Sequence, residues 1–366
     1  MKIRYFIHRL SFFILFAVAA GAITVFCADA KTIVTDAAGR KVEISRPVKR
    51  VVTTFKPATI FMLCLADPEI LEGVDSPSRR DPLVISVAPG VAKLPGVGSK
   101  SAGISIEAVL KLNADLVVLY AHKDGVKMAE RLADAGIPAI VIKPETFDSI
   151  GETINILAAA TGRRDQGMKV IKAIESVMEL VSTRIADIDP DKKKRVYYAT
   201  PRGFLSTAPA DMLQDQIIKL SGGINVASHL HGYFKNVSAE DLIKWRPEVI
   251  TVSRSIKNQS KEMIKQQAFS CLPAVQTGDV YVFPSNLTPW DYPSPLSALA
   301  VVWLADKLYP EKFADISIME SINEFHKKIF GKTMSQMDGH LDDRLWTLPQ
   351  TSKSVESDLT GTDKKP

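Results

Sequence analysis

The sequence predicts an α/β protein built as two doubly wound, Rossmann-like lobes joined by one long linking helix, with a ligand cleft between the lobes. Three observations carry this prediction. First, runs rich in β-branched residues alternate with helical periodicities on both sides of the middle of the chain, an order that builds parallel sheets covered by helices. Second, one amphipathic stretch, residues 165–188, separates the two halves. Its apolar positions Met168, Ile171, Ile174, Met178, Val181, Ile185 and Ile188 recur in steps of three and four among Lys169, Lys172, Glu175, Glu179, Arg184 and Asp187. Asp165 supplies an N-cap and Pro190 a stop, and roughly 35 Å of helix is long enough to lie along two lobes. Third, residues 105–119 lie over residues 238–252 without a gap. In both copies a Ser precedes a helical turn carrying Glu, an acidic residue sits in the connection, and a β-branched run follows. One pair of copies excludes a solenoid and indicates two similar lobes.

Taken in order, the chain of 366 residues opens with Lys2, Arg4 and Arg9, an apolar run over residues 10–26, and the small-x-small triplet Ala28-Asp29-Ala30. This is the form of a signal peptide (residues 1–30) cleaved after Ala30. The apolar run is just short of the ~20 residues of a membrane anchor. Lipid attachment at Cys27 is the other alternative, and the bulk of Phe26 argues against it. The rest divides into a first lobe (31–163), the linking segment (164–190), a second lobe (191–345) and a polar tail (346–366) expected to be disordered. Without the signal peptide the formal charge falls from +5 to +3, too mild to argue for nucleic acid or an anionic membrane as partner. Cys64 and Cys271, one in each half, read as buried or half-buried thiols rather than a bridge.

Residues 32–44 form a hairpin around Asp36-Ala37-Ala38-Gly39-Arg40. Strands are expected at 50–54, 70–74, 116–119 and 139–142 in the first half, and at 196–199, 249–252 and 280–283 in the second. Helices are expected at 57–66, 126–135, 210–220, 258–269 and 294–308, and residues 148–161 close the first lobe. Residues 75–102, broken by Pro77, Pro82, Pro89 and Pro95, are expected to be an irregular loop.

In doubly wound sheets the loops after the strands carry function. Those positions hold Lys56, Arg79, Arg80, Tyr120 and His122 in the first half, and Arg202, Tyr233, Arg254, Trp290 and Tyr292 in the second. Guanidinium groups pair with carboxylate or catecholate oxygens, and aromatic faces cover a bulky, partly apolar ligand. His229 and His231 are the best metal pair, and an exported metalloenzyme using both is the alternative from another class. No Cys pair or dense acidic cluster accompanies them, so no protein-held metal and no cofactor are expected. Catalytic signatures such as G-x-S-x-G, the phosphate loop and H-E-x-x-H are missing, and a non-enzyme is expected.

From Gly39-Arg40-Lys41-Val42 and Arg50-Val51-Val52, through the two Ser-x-Glu helices, to Pro289-Trp290-Asp291-Tyr292-Pro293-Ser294-Pro295, the chain resembles the class III substrate-binding proteins of ABC importers. That group carries iron-siderophores, haem and vitamin B12. The resemblance implies a monomeric periplasmic carrier that binds a small molecule and hands it to an inner-membrane permease. It also implies that Glu107 and Glu240 meet permease arginines. Haem carriers of the group often use a Tyr near residues 76–81, and none stands there. Arg79, Arg80, Lys56 and Arg202 favour an anionic metal chelate, a ferric siderophore first, with cobalamin or haem as alternatives.

Overall fold

The computed structural model of the chain describes residues 31–99, 103–121 and 124–346. The expected signal peptide, His122 and the tail beyond Trp346 lie outside these residues. Each half holds one four-stranded parallel sheet. The first runs Leu71–Gly73, Val51–Thr53, Leu116–Tyr120, Ala139–Ile142 and the second Ile224–Asn225, Arg195–Ala199, Val249–Val252, Val280–Val282. Numbered along the chain, both read 2-1-3-4, so the internal repeat extends to whole-lobe topology. The strands read LVVLY, AIVI and VITV because both faces of a helix-covered parallel sheet are buried. Their alternate residues serve different cores. Leu116 and Val118 join the main core, while Val117 and Leu119 pack outward with Val109, Ala129 and Leu132.

The main core does not stop at the lobe boundary. It passes from Val51 and Leu116 through Val170, Val177 and Val181 of the linking helix to Tyr198, Leu299 and Trp303 of the second lobe. The linking helix itself is Arg164–Arg184. It starts from Arg163, after Gly162 closes the preceding helix Phe147–Thr161 in the left-handed conformation, and Asp165 sits in its first turn instead of capping it. The expected apolar stripe holds at Val181, and Ile171, Ile174, Met178, Ile185 and Ile188 are half-buried against the core, but over its first four positions the fully buried line runs one residue earlier. The buried line is Gly167, Val170, Ala173, Val177 and Val181, and Met168 is 53% exposed. Small residues win because helices flank this one closely. A Cβ on Gly167 would stand 2.7 Å from the Ala158 Cβ of the neighbouring helix.

Three further expectations are corrected. Residues 75–102 contain the helix Pro82–Val87, which Asp81 caps by accepting from the Leu83 and Val84 amides. The chain also forms Pro273–Thr277 and the amphipathic helix Ile318–Phe330, bounded by Ser317 and Gly331, which the sequence reading passed over. Cys64 is buried but Cys271 is exposed, and both thiols are free.

The first and last described segments cover sheet edges. The hairpin Lys31–Thr35/Lys41–Ser45 is pinned to the edge strand Ala139–Ile142 through Asp36, whose Oδ2 accepts from the Val141 amide at 3.1 Å. Residues 343–345 lie against Val280–Val282, with Val282 N donating to Asp343 O at 2.6 Å and Leu345 N to Val280 O at 3.0 Å.

Candidate functional site

In a sheet wound 2-1-3-4 the loops after strands 1 and 3 diverge, and the crevice between them is where ligands settle. In the first lobe these loops follow Val51–Thr53 and Leu116–Tyr120. In the second they follow Arg195–Ala199 and Val249–Val252. The first switch point delivers Thr54, Phe55 and Lys56. Lys56 opens the helix Lys56–Leu65, and its Nζ lies 2.9 Å from Asp81 Oδ2. Tyr292 of the other lobe approaches the same ammonium, 5.3 Å from its ring centroid. Tyr120 stacks at 4.9 Å on Phe55 and donates its hydroxyl to the Glu145 carboxylate.

Opposite them, Arg202 lies over the rings of Tyr233 and Phe234, at 5.2 and 5.5 Å. The Tyr233 phenol is held above its usual range, by burial first and then by Glu145, with Arg202 opposing. The Tyr292 phenol is likewise raised, by burial and then by Asp291 and Asp75. These side chains therefore form one set across the cleft. Beneath them Tyr198 donates to Asp291 Oδ2 at 2.7 Å and Gln214 Nε2 to Asp291 O at 2.8 Å, which fixes the loop that presents Tyr292.

Direct bonds tie the lobes together beside the cleft. Thr288 Oγ1 donates to Asp81 Oδ2 at 3.1 Å, Leu83 N to Leu287 O at 3.2 Å, and Phe147 N to Gln216 Oε1 at 2.8 Å. Asp81 is 4% exposed and accepts from four donors, namely two backbone amides, Lys56 and Thr288. That satisfies a buried carboxylate completely. Asp75 is its less satisfied neighbour. Burial pushes its carboxyl up to about 6, against the opposing pull of the Ser78 hydroxyl and Lys56.

Of the residues singled out in the sequence, Lys56, Tyr120, Arg202, Tyr233 and Tyr292 come together. The others do not join them. Arg79 donates to Ala92 O at 3.4 and 3.3 Å inside its own loop, and Arg80 is exposed. Arg254 is drawn to Asp342 Oδ2 at 3.2 Å, a carboxylate it shares with Lys257. Trp290 is completely buried in the core. His229 lies edge-on to Trp245, whereas His231 stands 3.4 Å from Asp211, so the two rings serve different partners. Among the described residues no three His, Cys, Asp or Glu side chains gather around a common point. Sequence reasoning missed Asp75, Asp81, Glu145 and Thr288. Asp81 before Pro82 is a helix-start signature that was readable, while Glu145 and Thr288 carry no local signal.

Glu107 and Glu240 are both exposed second residues of capped helices, Ile106–Leu110 and Ala239–Trp245. Ser105 Oγ accepts from Ala108 N and donates to Glu107 Oε2, each at 3.1 Å, and Ser238 closes a capping box with Asp241.

Residues 74–287 match the family described as periplasmic binding protein. The molybdate-binding protein MolA of Haemophilus influenzae is 26% identical over 328 residues, 83% of this chain and 92% of that protein. Its structure with bound molybdate superposes with a TM-score of 0.73 at 25% identity, covering 82% of this chain and 98% of the other. The vitamin B12-binding protein of Yersinia pestis is 26% identical over 151 residues, 41% of this chain and 53% of its own length. Helicobacter pylori CeuE in its Ni-His complex shares the fold, with a TM-score of 0.72 at 18% identity over 84% of this chain and 98% of that one. Two lobes of identical winding, a helix between them and a match over more than half its length lead to one assignment: the chain belongs to the periplasmic binding protein family, as a periplasmic substrate-binding component of an ABC transporter.

Proposed function

We propose that the cleft binds a small metal oxyanion of the molybdate and tungstate class and that the protein hands it to its inner-membrane permease. The observation that carries this reading is a cation from each lobe set against a tyrosine of the cleft, Lys56 at the Tyr292 ring and Arg202 at the Tyr233 ring, with the two tyrosines within electrostatic reach of each other. Two of the acids nearby are compensated. Asp81 is saturated by donors, and Glu145 accepts from Tyr120. A compact oxyanion is held by cations and hydrogen-bond donors that reach it from both sides. The likeness to MolA along nearly the whole of that protein supports the same class.

A ferric siderophore is the second reading, favoured by the aromatic surface. Tyr292 remains 41% exposed, and Tyr233 and Phe234 present a joint face beneath Arg202. Calorimetric titration with molybdate, tungstate, sulfate and a ferric catecholate separates the two. Saturable molybdate and tungstate binding with none of the catecholate is expected; the reverse pattern sinks the oxyanion reading. Haem and cobalamin rank below both. In the same reading the mature chain begins at Lys31, and Glu107 and Glu240 contact the permease. A helix feeding a parallel strand starts at the sheet's carboxyl edge, so both glutamates belong to the edge that bears the cleft.

A further inference from the structure

Asp75 follows the strand Leu71–Gly73 at the cleft edge of the first lobe and is 2% exposed. The cation that offsets it, Lys56, is already held by Asp81 at 2.9 Å. Its hydrogen bond runs to Ser78, which begins a buried hydroxyl chain. Ser78 Oγ lies 2.8 Å from Thr59 Oγ1, and Thr59 Oγ1 lies 2.6 Å from Thr53 Oγ1. Such a chain suits both states of the acid. When Asp75 is ionised Ser78 donates to it; when Asp75 is neutral its own O–H donates to Ser78, and the hydroxyls beyond rotate in turn. The groups facing this carboxyl are Lys56 and Ser78 from its own lobe and Tyr292 from the other, with Asp81 and Asp291 also drawing on Lys56.

We propose that Asp75 is a specificity-determining residue of the cleft: a doubly charged oxyanion enters together with a solvent proton, and that proton neutralises the Asp75 carboxylate. This rests on the oxyanion reading above. A dianion at Lys56 competes for the ammonium that offsets Asp75. In a buried site the remaining repulsion is removed most cheaply by protonating the carboxylate. The O–H bond of Asp75 forms as the buffer acid gives up its proton through solvent and becomes its conjugate base, and no other bond is made or broken. The elevated affinity of Asp75 for its proton in the empty protein agrees with this.

The test is calorimetry of the mature chain with sodium molybdate between about pH 6.5 and 8.5, in buffers of different protonation enthalpy. Uptake of about one proton per molybdate is expected at the alkaline end, with Kd weakening by up to about tenfold per pH unit. Asp75→Asn should bind with no uptake and nearly constant Kd. Ser78→Ala, which keeps the carboxyl but removes the hydroxyl that favours its ionised form, should move the uptake profile to higher pH. Molybdate binding by the wild type without proton uptake, uptake that survives in Asp75→Asn, or an unmoved profile in Ser78→Ala would overturn the proposal. If the wild type binds no molybdate at any pH, the oxyanion reading fails, and this inference falls with it.

Discussion

Lys56 occupies the position where three structural requirements meet. It is the first residue of a helix, the counter-ion of a buried aspartate and a first-lobe cation beside the opposing Tyr292. Lys56→Met should therefore weaken oxyanion binding by at least about tenfold, the scale of one hydrogen bond to a charged group. It should also lower the melting temperature, since Asp81 loses one of its donors. Asp75 makes a prediction of opposite sense from most surface carboxylates. Its folded value of about 6 lies above the ~3.9 of an unfolded chain. The folded state thus binds the extra proton, and this group's contribution to stability is fullest below about pH 4 and declines as pH rises through 6. Asp75→Asn should remove that decline, so urea midpoints of wild type and variant should diverge between pH 4 and 7.5 in favour of the variant, by on the order of 2 kcal/mol. Midpoints that stay parallel would contradict the assigned environment.

Among the elements, the linking helix shows how packing can displace a pattern. Its large apolar residues Met168, Ile171 and Met178 flank the interface, and the seam is made of Gly167, Val170 and Ala173. Hydrophobic periodicity finds the helix but weighs a methionine above a glycine; close contact with helix Phe147–Thr161 reverses that weighting. Gly167→Val forces the 2.7 Å approach to Ala158 apart and should cost about 1–3 kcal/mol, read as a lower denaturant midpoint. Met168→Ser, on the exposed side, should change it little.

At the scale of the molecule, a single core threaded through one helix, with Asp81–Thr288 and Phe147–Gln216 bonds beside the cleft, opposes wide opening. Solution scattering should show a radius of gyration nearly unchanged by ligand, and a large contraction on binding would contradict this. The paired glutamates make a separate prediction. Replacing Glu107 and Glu240 together by Ala should leave ligand affinity close to wild type while sharply reducing uptake through the permease, with a salt-sensitive encounter rate in the unmodified protein. A folded double variant that supports normal uptake would end the docking role. Loss of ligand binding would move both acids into the ligand site.

The sequence alone determined the architecture, because strand composition, helix periodicity and the Ser-x-Glu repeat are local signals that the fold did not override. Strand-end positions offered Lys56, Tyr120, Arg202 and Tyr292 as candidates, which lie together with Tyr233, a residue ahead of the short strand Lys235–Asn236, and their ligand role belongs to the proposal. Tertiary structure decided the rest. Whether a guanidinium faces a ligand or a neighbour depends on where the chain brings its acceptors, far along the chain for Arg254 with Asp342 and across its own folded loop for Arg79 with Ala92. Trp290 reads as a ligand-facing aromatic in the loop after a strand, yet it is completely buried in the core. Asp75, Asp81 and Thr288 acquire their roles only when the two lobes meet. A carboxylate's charge, burial and donors are properties of the assembled cleft, and no local pattern encodes them.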